Sequence, residues 1–427
     1  MASIPASELA REILDACLKD GAWPTRVLDD LITRALDEDD QFLSINATRA
    51  LFGIVIEQLG DLFEPALCDV YTRLFAHVIS RALPEYNTDE LVRRYRRVRQ
   101  VRRFLGGEVH RVFVLSRITL GADVAVTSVA LATAKERFPD AEICLVGPPK
   151  NAEMFAADAR VFPIPVSYGR GSVLRERLLA AAELRGSVDE LSSVVIDPDS
   201  RLTQLGLIPV CDDSRYFFFE SRAFGGALNT SLTELTAQWL SEVFDAPHQA
   251  PYVAPVVQPR TSDIAVSLGV GENASKRIDD DFELAMLEKL LTYKRTILLD
   301  RGAGGEEAQR VDALVAKLGQ PSLLHVHEGS YASFASHIAQ SALYVGYDSA
   351  GQHVAAAAGV PLVSVFAGYA SERMFFRWRP STQTSHVVAV DADNRSTVLE
   401  RTLKAIDAAV VVAEGPRSSA IPKDSLS

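Results

Sequence analysis

Cysteine is scarce. There are four in 427 residues (Cys17, Cys68, Cys144 and Cys211), none in a CxxC pair and no two close together. That spacing excludes a structural zinc site and points to inert thiols in a reducing compartment. Long apolar runs are missing as well. The longest, 354–370, is interrupted by Gly359-Val360-Pro361 and falls short of the ~20 residues a membrane span needs, so it reads as helix, turn and buried strand. The opening MASIPASELAREIL has early acidic residues and no apolar core of a secretory signal. A cytoplasmic protein is expected, either free or peripheral to the inner membrane. Positive charge is in deficit, with 44 Lys and Arg against 56 Asp and Glu and a net charge of -12, which argues against a nucleic-acid partner. Neither GxxxxGK[ST] nor GxGxxG occurs, which argues against a Walker ATPase or a classical dinucleotide site.

What is present is globular: 48% hydrophobic and 23% charged residues, in a chain long enough for two or three domains. Residues 1–105 read as a helical N-terminal domain. Leu9, Ile13 and Cys17 share one helical face, Pro24 suits a first turn ahead of Val27, Leu28, Leu31 and Ile32, and 46–60 and 65–83 repeat the pattern. In 90–105, Leu91, Tyr95, Val98, Val101 and Leu105 form a stripe among seven arginines. Such a basic amphipathic helix can touch an anionic membrane surface or acidic glycolipid. The preferred reading is a connector helix laid on its neighbours, because charge runs usually face water.

From 106 onward short apolar runs alternate with helical patterns, which predicts parallel sheets covered by helices. A proline-rich stretch, 246–262, reads as a linker. The expected fold is therefore α/β: a helical domain, then two Rossmann-like domains facing a cleft, 106–250 and 262–414, with a polar tail, 415–427, expected to be disordered. Ligands in such sheets sit beyond the carboxyl ends of the strands.

The candidate residues follow from that placement. Asp123, after the first strand and the turn at Gly121, stands at a helix start. It suits a general base that takes a proton from an attacking hydroxyl, or equally a capping residue. The run Asp348-Ser349-Ala350-Gly351-Gln352-His353 joins a strand to an alanine-rich helix. Small residues there let backbone N–H groups approach an anion, with Ser349 and His353 as further contacts; plain helix capping is the competing reading. Lys276, beside Arg277 in a glycine-containing loop, would place a cation over a diphosphate. Glu306 or Glu307 would bond ribose hydroxyls or merely favour a helix N-terminus. Asp279-Asp280-Asp281 reads as a helix start, and no metal site is expected. Arg117, Asp197, Arg201 and Arg222 are weaker candidates for contacts to a second substrate, or members of a structural salt-bridge set.

As a set these segments resemble glycosyltransferase family nine, the group of the ADP-heptose:lipopolysaccharide heptosyltransferases of bacteria. Gly121-Ala122-Asp123 with Phe138-Pro139-Asp140-Ala141-Glu142-Ile143 is similar to the family's GD turn and strand entry. Lys276-Arg277 resembles its KRW segment. Residues 348–357, with Gly359-Val360-Pro361 and Val365-Phe366, resemble its DSG-xx-H-x-AAA, GxP and FG series, and Arg379-Pro380 stands near its W-x-P. The match covers about 110–400. Ala122 is inserted in the turn, Ala350 replaces the DSG glycine, Gly368 follows Phe366-Ala367, Lys276-Arg277 lacks the tryptophan, and the helical domain has no counterpart. The resemblance implies a GT-B, inverting, metal-independent transferase without a cofactor, moving a sugar from a nucleotide-diphosphate sugar such as ADP-heptose to a glycan, glycolipid or protein acceptor. By it Asp123 would be the base, Lys276 would neutralise the leaving diphosphate, Ser349, Gly351 and His353 would hold phosphates, and Glu306 or Glu307 would hold the ribose. Two alternatives stay open: a degenerate nucleotide-binding scaffold and a nucleotide-sugar epimerase.

Overall fold

A computed structural model describes residues 4–169, 171–271, 273–302, 304–391 and 394–414; the expected tail, 415–427, lies outside them. The chain forms two compact units, 1–256 with 369–379, and 257–368 with 380–427.

The first unit begins with helices Ala6–Asp20, Thr25–Ala35, Gln41–Ala50, Pro65–Ala82 and Thr88–Val98. Their apolar faces share one core with the first sheet: Ile13, Leu28, Leu74 and Tyr95 belong to the same buried cluster as Phe113, Val146 and Val195. The helical segment is thus not a separate domain. It is one layer of the unit, its helices packed on one another and their shared apolar side continuous with the core of the sheet.

The basic run also differs from expectation. Its helix ends at Val98, Val101 is exposed and Leu105 is 96% exposed. Arg94 and Arg97 pair with Asp213 at 2.7 and 3.0 Å, and Arg99 pairs with Asp69 and Glu220, both at 2.7 Å. Arg102 donates to the Asp213 and Tyr216 carbonyls. Four of the seven arginines therefore brace the helix against the unit. Arg93, Arg96 and Arg103 remain exposed.

The first sheet contains β1 (Arg111–Leu115), β2 (Glu142–Gly147), β3 (Val161–Pro165), β4 (Ser193–Asp197) and β5 (Tyr216–Phe218), all parallel, in the order β3-β2-β1-β4-β5. The linker is tied down on this unit's side, where Ala254 exchanges backbone hydrogen bonds with Met154 and Ala157. A seven-residue helix absent from the sequence-based reading, Glu372–Trp378, also belongs here. Its Arg377 is buried and donates to the carbonyls of Leu228, Thr230 and Gly226 at 2.6, 2.7 and 3.1 Å.

The second unit contains β6 (Ile264–Ser267), β7 (Ile297–Asp300), β8 (Leu324–His327), β9 (Leu343–Tyr347), β10 (Leu362–Phe366) and β11 (Ser385–Ala389), again all parallel, in the order β11-β10-β9-β6-β7-β8. β11 is a further strand that the sequence-based reading lacked. Counted from β6, this is the 3-2-1-4-5-6 order of a dinucleotide-binding sheet, and the first sheet carries its first five positions. The order reverses between β1 and β4 in one unit and between β6 and β9 in the other. The carboxyl ends of those four strands are where a ligand crevice forms. Among the described residues, no helix is long and apolar enough to cross a membrane.

Candidate functional site

In the first unit the loop after β1 carries Ser116 and Arg117, and the helix that follows opens at Leu120. At Asp123–Thr127 that helix widens into a π-helical turn, the usual way a helix absorbs one extra residue. Ala122 stands immediately before it. Asp123 has no exposed surface. Its carboxylate accepts from Ser116 Oγ at 2.6 Å, the Arg117 backbone N–H at 2.7 Å, Thr127 Oγ1 at 2.6 Å and Asn151 Nδ2 at 2.5 Å. Burial raises its pKa, and those four hydrogen bonds work against the rise. As placed, Asp123 braces the β1 turn, in which Ile118 adopts a left-handed φ of 74°.

The other first-unit candidates surround the end of β4. Asp197 is sealed and accepts from Thr203 Oγ1 and Tyr216 Oη at 2.5 Å and from the Ser200 N–H at 2.6 Å. Burial pushes it up to about 6 in spite of those bonds. Asp199, two residues past Asp197, is the hub. It accepts from Ser221 Oγ at 2.5 Å and Arg222 at 2.6 Å, and lies 3.8 Å from the Arg117 guanidinium. Arg117 also donates to the Pro198 carbonyl and Ser221 Oγ and lies over the Trp378 ring at 5.7 Å. Burial pushes its pKa down to about 10. Arg201 stands apart, paired with Glu57 at 3.4 Å. Arg117 and Arg222 are therefore brought together on Asp199 in a closed salt-bridge set, whereas Asp197 is held by its own hydroxyl and backbone donors.

In the second unit the site forms across the reversal point. Lys276, after β6, reaches Asp348, after β9: its Nζ lies 2.5 Å from Asp348 Oδ2 and 3.3 Å from the Asp348 carbonyl. Arg277 turns away, holding the fully buried Glu283 through two hydrogen bonds at 2.7 and 3.0 Å, so only the lysine of the pair reaches Asp348. Asp279 caps the next helix through the Phe282 N–H at 2.9 Å and Asp280 pairs with Arg277, as expected of a helix start.

Helix Ala350–Ala357 follows Asp348 directly. Ser349 occupies its cap position without capping it and is partly exposed. A Cβ at Gly351 would stand 2.2 Å from the Tyr344 hydroxyl, so this position accepts no larger residue without displacing a buried ring. His353 is buried on the same helix, and burial pushes its pKa down to about 4; Asp348 raises it and Lys276 lowers it further. It is neutral near pH 7. Glu306 and Glu307 separate: Glu306 is exposed, whereas the Glu307 carboxylate nests against Gly302, which has a φ of 75° and whose missing Cβ would lie 2.4 Å from Glu307 Cδ. Burial raises the Glu307 pKa and Asp300 adds to the rise.

The sequence reading missed Gln352 and Ser364. Gln352 donates to Asp348 Oδ1 and accepts from Ser364 Oγ at 2.6 Å, and both are fully buried. The available signal was a glutamine beside His353 at the start of an alanine-rich helix.

Two Rossmann-like parallel sheets in one chain define the GT-B class of fold. The chain shares that fold with a family 9 glycosyltransferase from Veillonella parvula (TM-score 0.55, 16% identity, 72% of this chain and 99% of that one). It shares it also with the E. coli ADP-heptose lipopolysaccharide heptosyltransferase II (0.52, 16%, 71% and 100%) and the E. coli heptosyltransferase WaaC with ADP (0.53, 16%, 71% and 100%). These neighbours are matched over nearly their whole length, and more than a quarter of this chain has no counterpart in them. At the level of sequence, no family model and no curated relative matches.

Proposed function

We propose that this chain transfers a sugar from a nucleoside-diphosphate sugar to a glycan, glycolipid or protein acceptor. The observation that carries the reading is Lys276 held across the β6–β9 reversal point at the mouth of a helix of small residues. In such a transfer the acceptor oxygen attacks the anomeric carbon, the bond to the diphosphate breaks, and the departing diphosphate takes the electron pair. Fixed N–H dipoles and a lysine aimed at that growing charge lower the barrier. Ser349 and His353 stand beside the same helix start, and Glu307 is the acid suited to ribose hydroxyls. The transfer is inverting and needs no metal. An ADP-linked heptose is the first donor to test, since two of the structural neighbours are described with ADP-heptose or ADP.

Asp123 is the base in this reading. To receive the acceptor's proton, it must exchange one of its four donors for the acceptor hydroxyl. The π-helical turn is the segment that would shift. The sealed carboxylate also favours a second reading, a nucleotide-binding protein that has lost transfer.

A thermal-shift panel of nucleoside diphosphates and their sugars, followed by a turnover assay with whichever binds, separates these readings. A true ligand at 100 times its Kd adds about 2.7 kcal/mol of stability. If transfer is observed, Asp123→Asn should lower it by about 10²–10⁴-fold with donor affinity retained. Normal transfer by that variant would remove Asp123 from the mechanism. Binding without turnover of any sugar would favour the scaffold, and donor consumption without acceptor would favour an epimerase.

A further inference from the structure

We infer that Gln352 is a positioning residue whose side-chain amide both aims Asp348 at Lys276 and holds His353 in the neutral tautomer with its proton on Nδ1. The deduction starts from what each group can do. An ionised carboxylate only accepts, so the Gln352 atom facing Asp348 Oδ1 must be the NH₂ group. The amide oxygen then faces Ser364, whose hydroxyl donates to it at 2.6 Å. Both ends of the amide are fixed, and it cannot flip without setting oxygen against oxygen at Asp348.

The same Nε2 lies 3.4 Å from His353 Nε2. One of its hydrogens serves Asp348 and the other points towards the imidazole. Two donors cannot face each other, so His353 Nε2 presents a lone pair and the ring hydrogen resides on Nδ1. Lys276 and Asp348 are the charged groups that act on this ring, and burial keeps it neutral. The chain Ser364–Gln352–Asp348–Lys276 thus links four segments: β10, the 350–357 helix, the turn after β9 and the loop after β6. It fixes a cation and a neutral hydrogen-bond donor around one helix start.

The effect on ligand binding rests on the donor reading above; the tautomer does not. Nitrogen-15 long-range NMR on histidine-labelled full-length protein, with His353 assigned by His353→Gln, should show the Nδ1–H tautomer at pH 7. In Gln352→Met the Nε2–H form should appear, and affinity for ADP, UDP or GDP, whichever binds, should fall about tenfold, the worth of a lost hydrogen bond to a charged group. If that variant does not fold, Ser364→Ala releases the amide oxygen and should shift the tautomer in the same direction. An Nε2–H or protonated His353 in the wild type would overturn the inference. So would a folded Gln352→Met with unchanged tautomer and affinity. If no nucleoside diphosphate binds the wild type, the donor reading falls, while the NMR result still decides the tautomer.

Discussion

The two sheets reverse strand order in the same way, yet the ends of the reversing strands hold opposite kinds of polar chemistry. After β1 and β4, Asp123, Asp197 and Asp199 are wholly enclosed and saturated by hydroxyl, amide, backbone and guanidinium donors. After β6 and β9, the Lys276 side chain retains 19% of its exposure, Ser349 is partly open and Glu307 lies against glycines. A Rossmann reversal point therefore specifies a place and leaves open whether its charges are spent internally. In the first sheet they hold the turn and the arginine set. In the second, Lys276 is kept by the single carboxylate of Asp348 and retains part of its exposure.

The sharpest way to break this contrast is Asp199→Ala. It leaves Arg117 and Arg222 buried without their shared counter-charge and should cost about 3–5 kcal/mol in urea unfolding, with any nucleotide affinity of the second sheet preserved. Gly351→Ala should act on the other region. Its methyl meets the Tyr344 ring, with an expected loss of about 1–3 kcal/mol together with weakened nucleotide binding by calorimetry. The mildest effect is a matter of pH. Asp197 has a folded pKa raised to about 6 from 3.8, so the native state binds more protons between those values and stability falls as pH rises through them. His353 is lowered to about 4 from 6.5, so the unfolded state binds more protons there and stability rises with pH across that window. Each contributes a slope of at most about 1.4 kcal/mol per pH unit. Between pH 4 and 6, Asp197→Asn should steepen the rise of the urea midpoint with pH, and His353→Gln should flatten it. Unchanged slopes in both variants would show that neither group titrates as its burial implies.

Much of the architecture was legible because period and length carry it. Runs such as Val112-Phe113-Val114-Leu115 and Ile264-Ala265-Val266-Ser267-Leu268 are too short and too apolar for anything but buried strands between helices. Lys276 and Asp348 were legible as separate candidates, since each follows a strand in a glycine-bearing turn. Their pairing was not, because strand order is a tertiary fact. Glu372–Trp378 escaped notice: seven residues ending just before Pro380 are too few to show a helical period. The merger of the N-terminal helices with the first sheet escaped as well, because an amphipathic stripe shows that a face is covered and not by what. Nor does sequence distinguish a carboxylate that waits for a proton from one already holding four. Asp123 and Asp197 look alike in either role until the donors around them are placed.

The short excursion of residues 369–379 has a practical corollary for anyone who divides this gene. Because the polypeptide leaves the first unit after 256, returns for eleven residues and departs again, a single cut in the proline-rich linker does not yield two complete pieces. An amino-terminal fragment would lack Arg377 and expose the carbonyls of Gly226, Leu228 and Thr230 that it serves. A carboxyl-terminal fragment would carry that helix with nothing to dock it. Expression of the halves therefore calls for grafting the excursion back onto the first piece and bridging the gap in the second.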